Sequence, residues 1–198
     1  MSLYEREMWA GSVLPEHIPT PRMLLAEQAP EWVAMVFEHI DNAEHADLSP
    51  RSPHIPRVLS AVNRMNAALT PCPSAAASPV AQNVYALRAK AAHMLTERAD
   101  TLGDDLELYR DALAGFDPVH LVGDTLLHYD LHAGNILITR ERVQVIDWSF
   151  ACQGAPWGDL ALLAPRLIQA GHTPEQMEQF LAGMPSWAKA PAAAGASP

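Results

Sequence analysis

The chain has 198 residues, of which 49% are apolar, and this is enough to bury one good-sized core. Its formal charge of −10 at pH 7 disfavours nucleic acid as a partner, because nucleic acids bind to basic surfaces. No signal peptide and no apolar stretch of the roughly 18 residues that cross a bilayer is found, and Cys72 and Cys152 are isolated, so we expect a cytoplasmic protein with no membrane partner.

The first forty residues predict a short helix followed by two strands. Residues 4–9 open the helix, which should end near Gly11, and residues 23–26 and 32–37 form two apolar runs typical of strands. Residues 38–42 lead out of the second strand. Residues 43–56 are polar and proline-rich, which predicts a loop.

Three helices are expected between residues 57 and 116, with a proline-rich loop over 71–79 between the first two. Apolar residues recur at helical spacing in each helix, so we expect them to face the core. They are Val58, Val62, Met65 and Leu69 in the first helix, Val84, Leu87, Ala91, Met94 and Leu95 in the second, and Leu106, Tyr109 and Leu113 in the third, over 104–116.

The most informative segment is residues 128–148, HYDLHAGNILITRERVQVIDW, which predicts a loop followed by a β-hairpin. A turn centred on Glu141 would place Asn135 opposite Asp147, and directly opposed residues lie roughly 4.5–5.5 Å apart. Amide and carboxylate oxygens are ligands that Mg²⁺ accepts. We therefore expect Asn135 and Asp147 to bind one Mg²⁺, with Asp130 beside it.

A carboxylate next to such a metal suits phosphoryl transfer, because the metal neutralises phosphate oxygens while the carboxylate accepts the proton of an attacking hydroxyl. Beyond the hairpin, a helix over 160–171 should bend or restart at Pro165, and Thr173 and Gln176 form a capping box for another helix to about Ala182. The Ala- and Pro-rich residues 188–198 should be disordered.

Three motifs in order, HYDLHAGNIL, VIDW and PWGDLALL, resemble the aminoglycoside phosphotransferase family of small-molecule kinases, a family similar to the choline kinases. The resemblance implies an α+β, protein-kinase-like fold with a mostly helical large lobe that carries the catalytic hairpin. It also implies transfer of the γ-phosphate of ATP, with GTP left open, to a hydroxyl group. The acceptor could be an aminoglycoside or other antibiotic, which would make this a resistance enzyme, or choline, a sugar or an amino-acid-like alcohol.

The resemblance assigns roles to individual residues. Asp130 becomes the catalytic residue, and Asn135 and Asp147 become Mg²⁺ ligands. His128 and Asp159 support the loop, whereas His132 receives no firm role. For the nucleotide, the matching residues are Glu7 on the first helix and the main chain of Phe37 and His39 in the linker.

One departure from the family pattern concerns the lysine that pairs with Glu7. It should lie on an upstream strand under a glycine-rich loop, but the only lysines here are Lys90 and Lys189. We therefore expect residues 1–42 to be the remnant of a small lobe with its linker, residues 43–187 the large lobe, and residues 188–198 a tail. The chain is then either a fragment or a natural short form with impaired activity.

Two alternatives remain open. One is a catalytically impaired protein that binds a nucleotide or a partner, and the weaker one is a metal-dependent hydrolase built on His128, Asp130, His132 and Asp147. Acidic residues near the expected cleft could attract a cationic acceptor, although surface solvation explains them more simply. They are Asp41, Glu44 and Asp47.

Overall fold

The computed structural model describes residues 2–190 as seven helices, seven short strands and four short 3₁₀ turns. The helices are α1 (Leu3–Val13), α2 (His54–Ala68), α3 (Ala81–Glu97), α4 (Ala99–Leu102), α5 (Leu106–Gly115), α6 (Gly158–Gln169) and α7 (Pro174–Ala182). The strands are β1 (Met23–Ala29), β2 (Trp32–Phe37), β3 (Glu44–His45), β4 (Thr125–Leu127), β5 (Ile136–Ile138), β6 (Val143–Val145) and β7 (Cys152–Gly154).

The N-terminal part is a helix packed on an antiparallel hairpin, as the sequence predicted. Ser2 and Glu5 form a capping box that starts α1. β1 and β2 pair from Met23 opposite Phe37 to Ala29 opposite Trp32, so β1 is three residues longer than expected. The loop expected over residues 43–56 is partly ordered, because β3 pairs with β5 and α2 begins at His54.

The central three-stranded sheet has the order β3-β5-β6 and contains the predicted hairpin. Its predicted register was wrong by one residue, since Ile138 lies opposite Val143 and Ile136 opposite Val145. The loop is closed by the Thr139 N–H, which donates to the Arg142 carbonyl at 2.9 Å, while the Thr139 hydroxyl accepts from the Arg142 N–H at 3.1 Å.

Because of this register, Asn135 pairs with Ile146 and not with Asp147. The Ile146 N–H donates to the Asn135 carbonyl at 3.0 Å. A shift of one residue would normally turn a side chain to the opposite face of a sheet. The alternation of faces does not apply to Asp147, because its φ of 63° lies outside the extended conformation.

The main core lies between the hairpin, α2 and α6. All four apolar residues predicted to face inward on α2 are 0–2% exposed, and α6 contributes Leu160, Leu163 and Leu167. Helix α6 runs without interruption through Pro165, so it does not restart there, which was one of the two predicted outcomes. The Thr173–Gln176 capping box at the start of α7 is confirmed.

The expected inward faces of α3 and α5 were only partly correct. On α3 only Val84 is buried, whereas Leu87 is 51% exposed, and on α5 Tyr109 is 48% exposed. The predicted helix over 104–116 is also divided, because residues 103–105 form a 3₁₀ turn before α5. Apolar spacing defined these helices, but α3 and α5 pack chiefly on each other and leave much of that surface in water.

The chain continues as a 3₁₀ turn over Trp187–Lys189, where the disordered tail was expected to have begun, and residues 191–198 of that tail lie outside the described residues. Cys72 and Cys152 are free thiols. Within residues 2–190, no helix combines the length and apolar character needed to cross a membrane.

Candidate active site

The loop over residues 128–130 is hydrogen-bonded to the carboxylate of Asp159 at the start of α6. Its two oxygens accept the N–H groups of His128 (3.1 Å) and Tyr129 (2.8 Å). Tyr129 has a φ of 72°, a left-handed conformation that turns successive N–H groups toward one anion. Asp159 is fully buried, and burial raises the pKa of its carboxyl against the opposing effects of His128 and the two N–H donors.

His128 joins this loop to the strand that precedes Asp147. Its Nδ1 accepts the Asp130 N–H at 3.2 Å, so Nε2 carries the proton and donates to the Ile146 carbonyl at 2.9 Å. The ring is fully buried and meets Trp148 edge-on at 4.9 Å between centroids. Burial lowers the pKa of His128 from 6.5, which keeps the imidazole neutral.

Asp130 and Asn135 are in direct contact. The Asn135 Nδ2 donates to the Asp130 carbonyl at 3.0 Å and lies 3.5 Å from the Asp130 Oδ2. The same Asp130 Oδ2 also lies 3.7 Å from the Nε2 of His132. The His132 Nδ1 accepts the Gly134 N–H at 3.0 Å, so Nε2 is the protonated nitrogen that faces Asp130.

The Asp147 carboxylate is held by Ser149 and is otherwise exposed. The Ser149 hydroxyl donates to the Asp147 Oδ1 at 2.6 Å. A residue other than glycine with a positive φ of 63° is uncommon, and such conformations cluster at functional sites. The second oxygen of Asp147 makes no hydrogen bond or ion pair within the part of the chain that the structure describes.

The donor set at Asn135 and Asp147 fits Mg²⁺. Because Asn135 Nδ2 donates to a carbonyl, which only accepts, the orientation of the amide is fixed and its Oδ1 is left as an acceptor or metal ligand. One oxygen of Asp147 is also left by the contact with Ser149. Hard oxygen ligands of this kind suit Mg²⁺, which keeps several waters and needs few protein ligands.

Asp147 lines a cavity of about 1020 Å³ together with three residues predicted to bind a nucleotide, Glu7, Phe37 and His39. Its apolar floor includes Leu137 and Ile146. The size is at the upper end of small-molecule sites, which span about 300–1,000 Å³.

The linker between β2 and β3 presents main-chain groups at this cavity. The Glu38 N–H donates to the Arg22 carbonyl at 2.8 Å, whereas the His39 N–H has no protein acceptor among residues 2–190. Phe37 is paired with Met23 in the hairpin. The His39 N–H is therefore the better placed of the two linker groups to contact a base.

Glu7 is half-buried and faces the Asp147 charge across the cavity. Burial, followed by repulsion from Asp147, raises the pKa of Glu7 above its ordinary value. Within the described residues Glu7 forms no ion pair. Two carboxylates that face each other in one cavity favour a cation between them.

Asp130 lines a different cavity, of about 720 Å³. The loop before α2, the loop over residues 130–133 and the last part of α6 form its walls, through Asp47, His132, Ala133, Arg166 and Gln169 among others. The residues predicted as one cluster are therefore divided between two cavities, with Asp147 on one side and Asp130 on the other.

Sequence reasoning missed Ser149 and a link formed by Arg6 and Asn83. Arg6 Nη1 donates to the Asn83 Oδ1 at 3.0 Å, and Asn83 Nδ2 donates to the Phe150 carbonyl at 3.2 Å. This chain of contacts ties α1 and α3 to the segment after Asp147. The partners of Asn83 are 67 and 77 residues distant, so no local pattern predicts them. Ser149, by contrast, follows Asp147 at the spacing of an Asx turn.

No three His, Cys, Asp or Glu side chains converge as a metal site in the 2–190 portion of the chain. This counts against the hydrolase alternative, which required His128, Asp130, His132 and Asp147 to act together. His128 uses both ring nitrogens in contacts with the main chain.

We predict that the stability of the protein falls as the pH drops below about 6.5, in part because of His128. In the unfolded chain His128 binds a proton near pH 6.5, whereas burial lowers the pKa of the ring in the folded protein. The contribution of neutral His128 to the free energy of unfolding is therefore fully present above pH 6.5 and is lost as the pH falls toward the lowered pKa. One such site contributes at most about 1.4 kcal/mol per pH unit.

Urea unfolding of the wild type and His128→Gln between pH 8 and 5 measures this effect. The variant should lose stability less steeply with acid, while His17→Gln, at an exposed position, should keep the wild-type slope. Equal slopes for the wild type and His128→Gln would contradict the assignment.

Comparison with known families supports a common ancestry for most of the chain. The model of the APH family, described as a phosphotransferase enzyme family, matches residues 5–192. No curated protein matches the sequence significantly.

Two solved structures are similar in fold. Choline kinase LicA from Streptococcus pneumoniae gives a TM-score of 0.61 at 16% identity, covering 91% of this chain and 61% of the kinase. A thermostable mutant of aminoglycoside phosphotransferase APH(4)-Ia, in a ternary complex with ADP and hygromycin B, gives 0.50 at 15% identity, covering 95% of this chain and 72% of that protein. The chain thus spans 61% of the length of the choline kinase and shares the predicted kinase-like α+β fold.

Proposed function

The chain belongs to the phosphotransferase enzyme family, and on that premise we propose that it transfers the γ-phosphate of ATP to a hydroxyl group of a small molecule. In this proposal Asp130 orients the acceptor hydroxyl and accepts its proton. Asn135 and Asp147 bind Mg²⁺. His128 and Asp159 position the loop that carries Asp130.

The observation that carries the proposal is the network joining Asp130, Asn135 and the strand before Asp147. Asn135 donates to Asp130 at 3.0 Å and accepts from Ile146 at 3.0 Å, and His128 connects the same two segments. This network supports the proposal because it holds Asp130 beside Asn135 and ties both to the residue before Asp147. Positioning and charge stabilisation supply most of the catalysis in phosphoryl transfer.

Each residue has a defined task when the site is loaded. Mg²⁺ bound at Asn135 and Asp147 would neutralise phosphate oxygens. Ser149 holds the Asp147 carboxylate in one orientation. Asp130 lines the smaller cavity, where its carboxylate would accept the proton of the acceptor hydroxyl.

The nucleotide would occupy the larger cavity. Its apolar floor at Leu137 and Ile146 suits a purine, and the His39 N–H is available to a ring nitrogen. The cavity also holds Glu7 opposite Asp147, where a cation accompanying the phosphates would relieve the repulsion that raises the pKa of Glu7. One similar structure contains ADP and hygromycin B, which supports a nucleotide and a hydroxylated acceptor here as well.

A second candidate is a nucleotide- or partner-binding protein without transfer activity. The observation that favours it is Glu7, which has no cationic partner within the described residues. The two candidates differ in what they require of Mg²⁺, because only transfer needs the metal between Asn135, Asp147 and the phosphates.

The decisive experiment measures ATP affinity with and without Mg²⁺ in the wild type and Asp147→Asn. We expect Mg²⁺ to strengthen ATP binding to the wild type at least about tenfold. Mutation of residues that merely hydrogen-bond to metal ligands already lowers metal affinity by about 10–100-fold, so the metal itself should contribute at least as much. Asp147→Asn should remove that gain. Glu141→Gln, at an exposed position in the turn of the same hairpin, should keep it.

Wild-type binding that ignores Mg²⁺, together with no phosphate transfer to any acceptor, would contradict the proposed reaction and favour the binding protein. A gain from Mg²⁺ that survives in Asp147→Asn would remove Asp147 from the metal site.

A further inference from the structure

The cavity that contains Asp130 also contains two charged side chains with no role in the proposed reaction. They are Asp47, in the loop before α2, and Arg166, in the last turn of α6. Both are exposed, and they have opposite charges. Neither forms an ion pair with another side chain within residues 2–190.

Asp47 is oriented by its own loop. Its Oδ1 accepts the Ser49 N–H at 2.9 Å, and the Asp47 N–H donates to the His54 Nδ1 at 3.0 Å. The hydrogen bonds from Ser49 hold the pKa of Asp47 below its usual range, so the side chain stays ionised. The carboxylate is exposed at the cavity, where it can also contact a ligand.

Arg166 lines the same cavity from the last turn of α6. It lies one helical turn from Gln169 and Ala170, and all three line the space beside Asp130. A guanidinium offers a planar fork of donors that matches a carboxylate. An arginine in the last turn of a helix also stabilises the helix dipole, so the test below must separate that role from ligand binding.

We propose that the acceptor is a hydroxylated zwitterion, whose ammonium group pairs with Asp47, whose carboxylate pairs with Arg166 and whose hydroxyl faces Asp130. The inference rests on the proposed function and names the substrate class of the same site. A purely cationic acceptor would set a positive charge against Arg166, and a purely anionic one would set a negative charge against Asp47 and Asp130. A ligand that carries both charges can pair with Asp47 and with Arg166 at the same time.

Calorimetric titration of the full chain, saturated with Mg²⁺ and a non-hydrolysable ATP analogue, tests this class directly. The probes are two zwitterions, L-serine and L-homoserine, and two serine analogues that each lack one charge, ethanolamine and 3-hydroxypropanoate. We expect a zwitterion to bind at least about tenfold more tightly than either analogue, because each analogue loses a hydrogen-bonded charge pair.

Two variants test which side chain pairs with which charge of the ligand. Arg166→Gln should abolish the preference for L-serine over ethanolamine without weakening ethanolamine itself, and Asp47→Asn should abolish the preference over 3-hydroxypropanoate. Arg64→Gln, an exposed arginine on α2 outside this cavity, is the matched control and should change neither preference. If Arg166 acted only on the helix, its variant would weaken all probes equally and lower the melting temperature.

Ethanolamine or 3-hydroxypropanoate binding as tightly as the zwitterions would overturn the inference. So would binding of none of the four probes by a chain that still binds the Mg²⁺–nucleotide. Failure of the wild type to bind the nucleotide in a Mg²⁺-dependent way would instead overturn the proposed function, so the two results are distinguishable.

Discussion

Asp130→Asn is expected to lower the rate of phosphate transfer by about 10²–10⁴-fold, because it removes the group that we propose accepts the hydroxyl proton. The amide keeps the shape of the carboxylate and leaves the Asp130 main chain free to accept from Asn135 and donate to His128. The loop should therefore keep its conformation while losing its base.

Nucleotide binding should survive this change. Asp130 lines the smaller cavity, whereas the proposed nucleotide site is the larger one. The expected signature is a loss in kcat with an unchanged Kd for Mg²⁺–ATP. Asp124→Asn, which alters an exposed carboxylate outside both cavities, should affect neither quantity.

The measurement is ADP formation from ATP with a panel of hydroxylated acceptors, combined with nucleotide titration of each variant. If Asp130→Asn transferred phosphate at the wild-type rate, Asp130 would not be the base. If its nucleotide affinity fell in parallel with its rate, the division of the site into two cavities would be wrong.

The second large effect is expected from Asp159→Ala, which should lower the free energy of unfolding by about 3–5 kcal/mol. The change leaves the N–H groups of His128, which is fully buried, and of Tyr129, which is partly buried, without their acceptor. Tyr129 also loses the anion toward which its left-handed conformation directs its N–H.

Urea unfolding at pH 7.5 measures the loss, with Asp111→Ala as the control, since Asp111 is exposed on α5 and forms no ion pair within the described residues. The control should change stability by less than about 0.5 kcal/mol. If Asp159→Ala does not fold, Asp159→Asn, which keeps one acceptor oxygen, should fold with an intermediate loss. A loss below about 1 kcal/mol for the alanine variant would show that the loop does not depend on this carboxylate.

Local chemistry explains why several elements could be predicted closely. The bounds of β2 and the capping box at Thr173 and Gln176 follow from alternation and from side-chain hydrogen bonds between near neighbours. The inward face of α2 was also correct, because one apolar stripe on a helix next to the central sheet has a single way to be buried.

The hairpin shows where such reasoning stops. Its existence follows from two alternating apolar runs, but its register depends on the turn, and the Thr139 hydroxyl tightens that turn. A one-residue change moved the partner of Asn135 from Asp147 to Ile146. The positive φ of Asp147 then directs its carboxylate independently of strand alternation, a feature that no periodicity encodes.

The apolar faces of α3 and α5 show that burial, too, cannot be predicted from residue spacing alone. Their spacing correctly predicted helices, but Leu87 and Tyr109 are 51% and 48% exposed. Helical spacing tells which residues share a face, and only the neighbouring elements decide whether that face is covered.

The order of the residues was enough to define the motif around Asp130, Asn135 and Asp147, the helices and strands near it, and the family. The three-dimensional packing decided the rest: the register of the hairpin, the two N–H groups through which Asp159 supports the loop, the contacts of Ser149 and Asn83, and the separation of two cavities. The physical reason is the separation along the chain of the residues that interact. Caps, turns and periodic faces depend on neighbours a few residues apart, whereas these contacts join segments as distant as the 30 residues between Tyr129 and Asp159 and the 77 between Arg6 and Asn83.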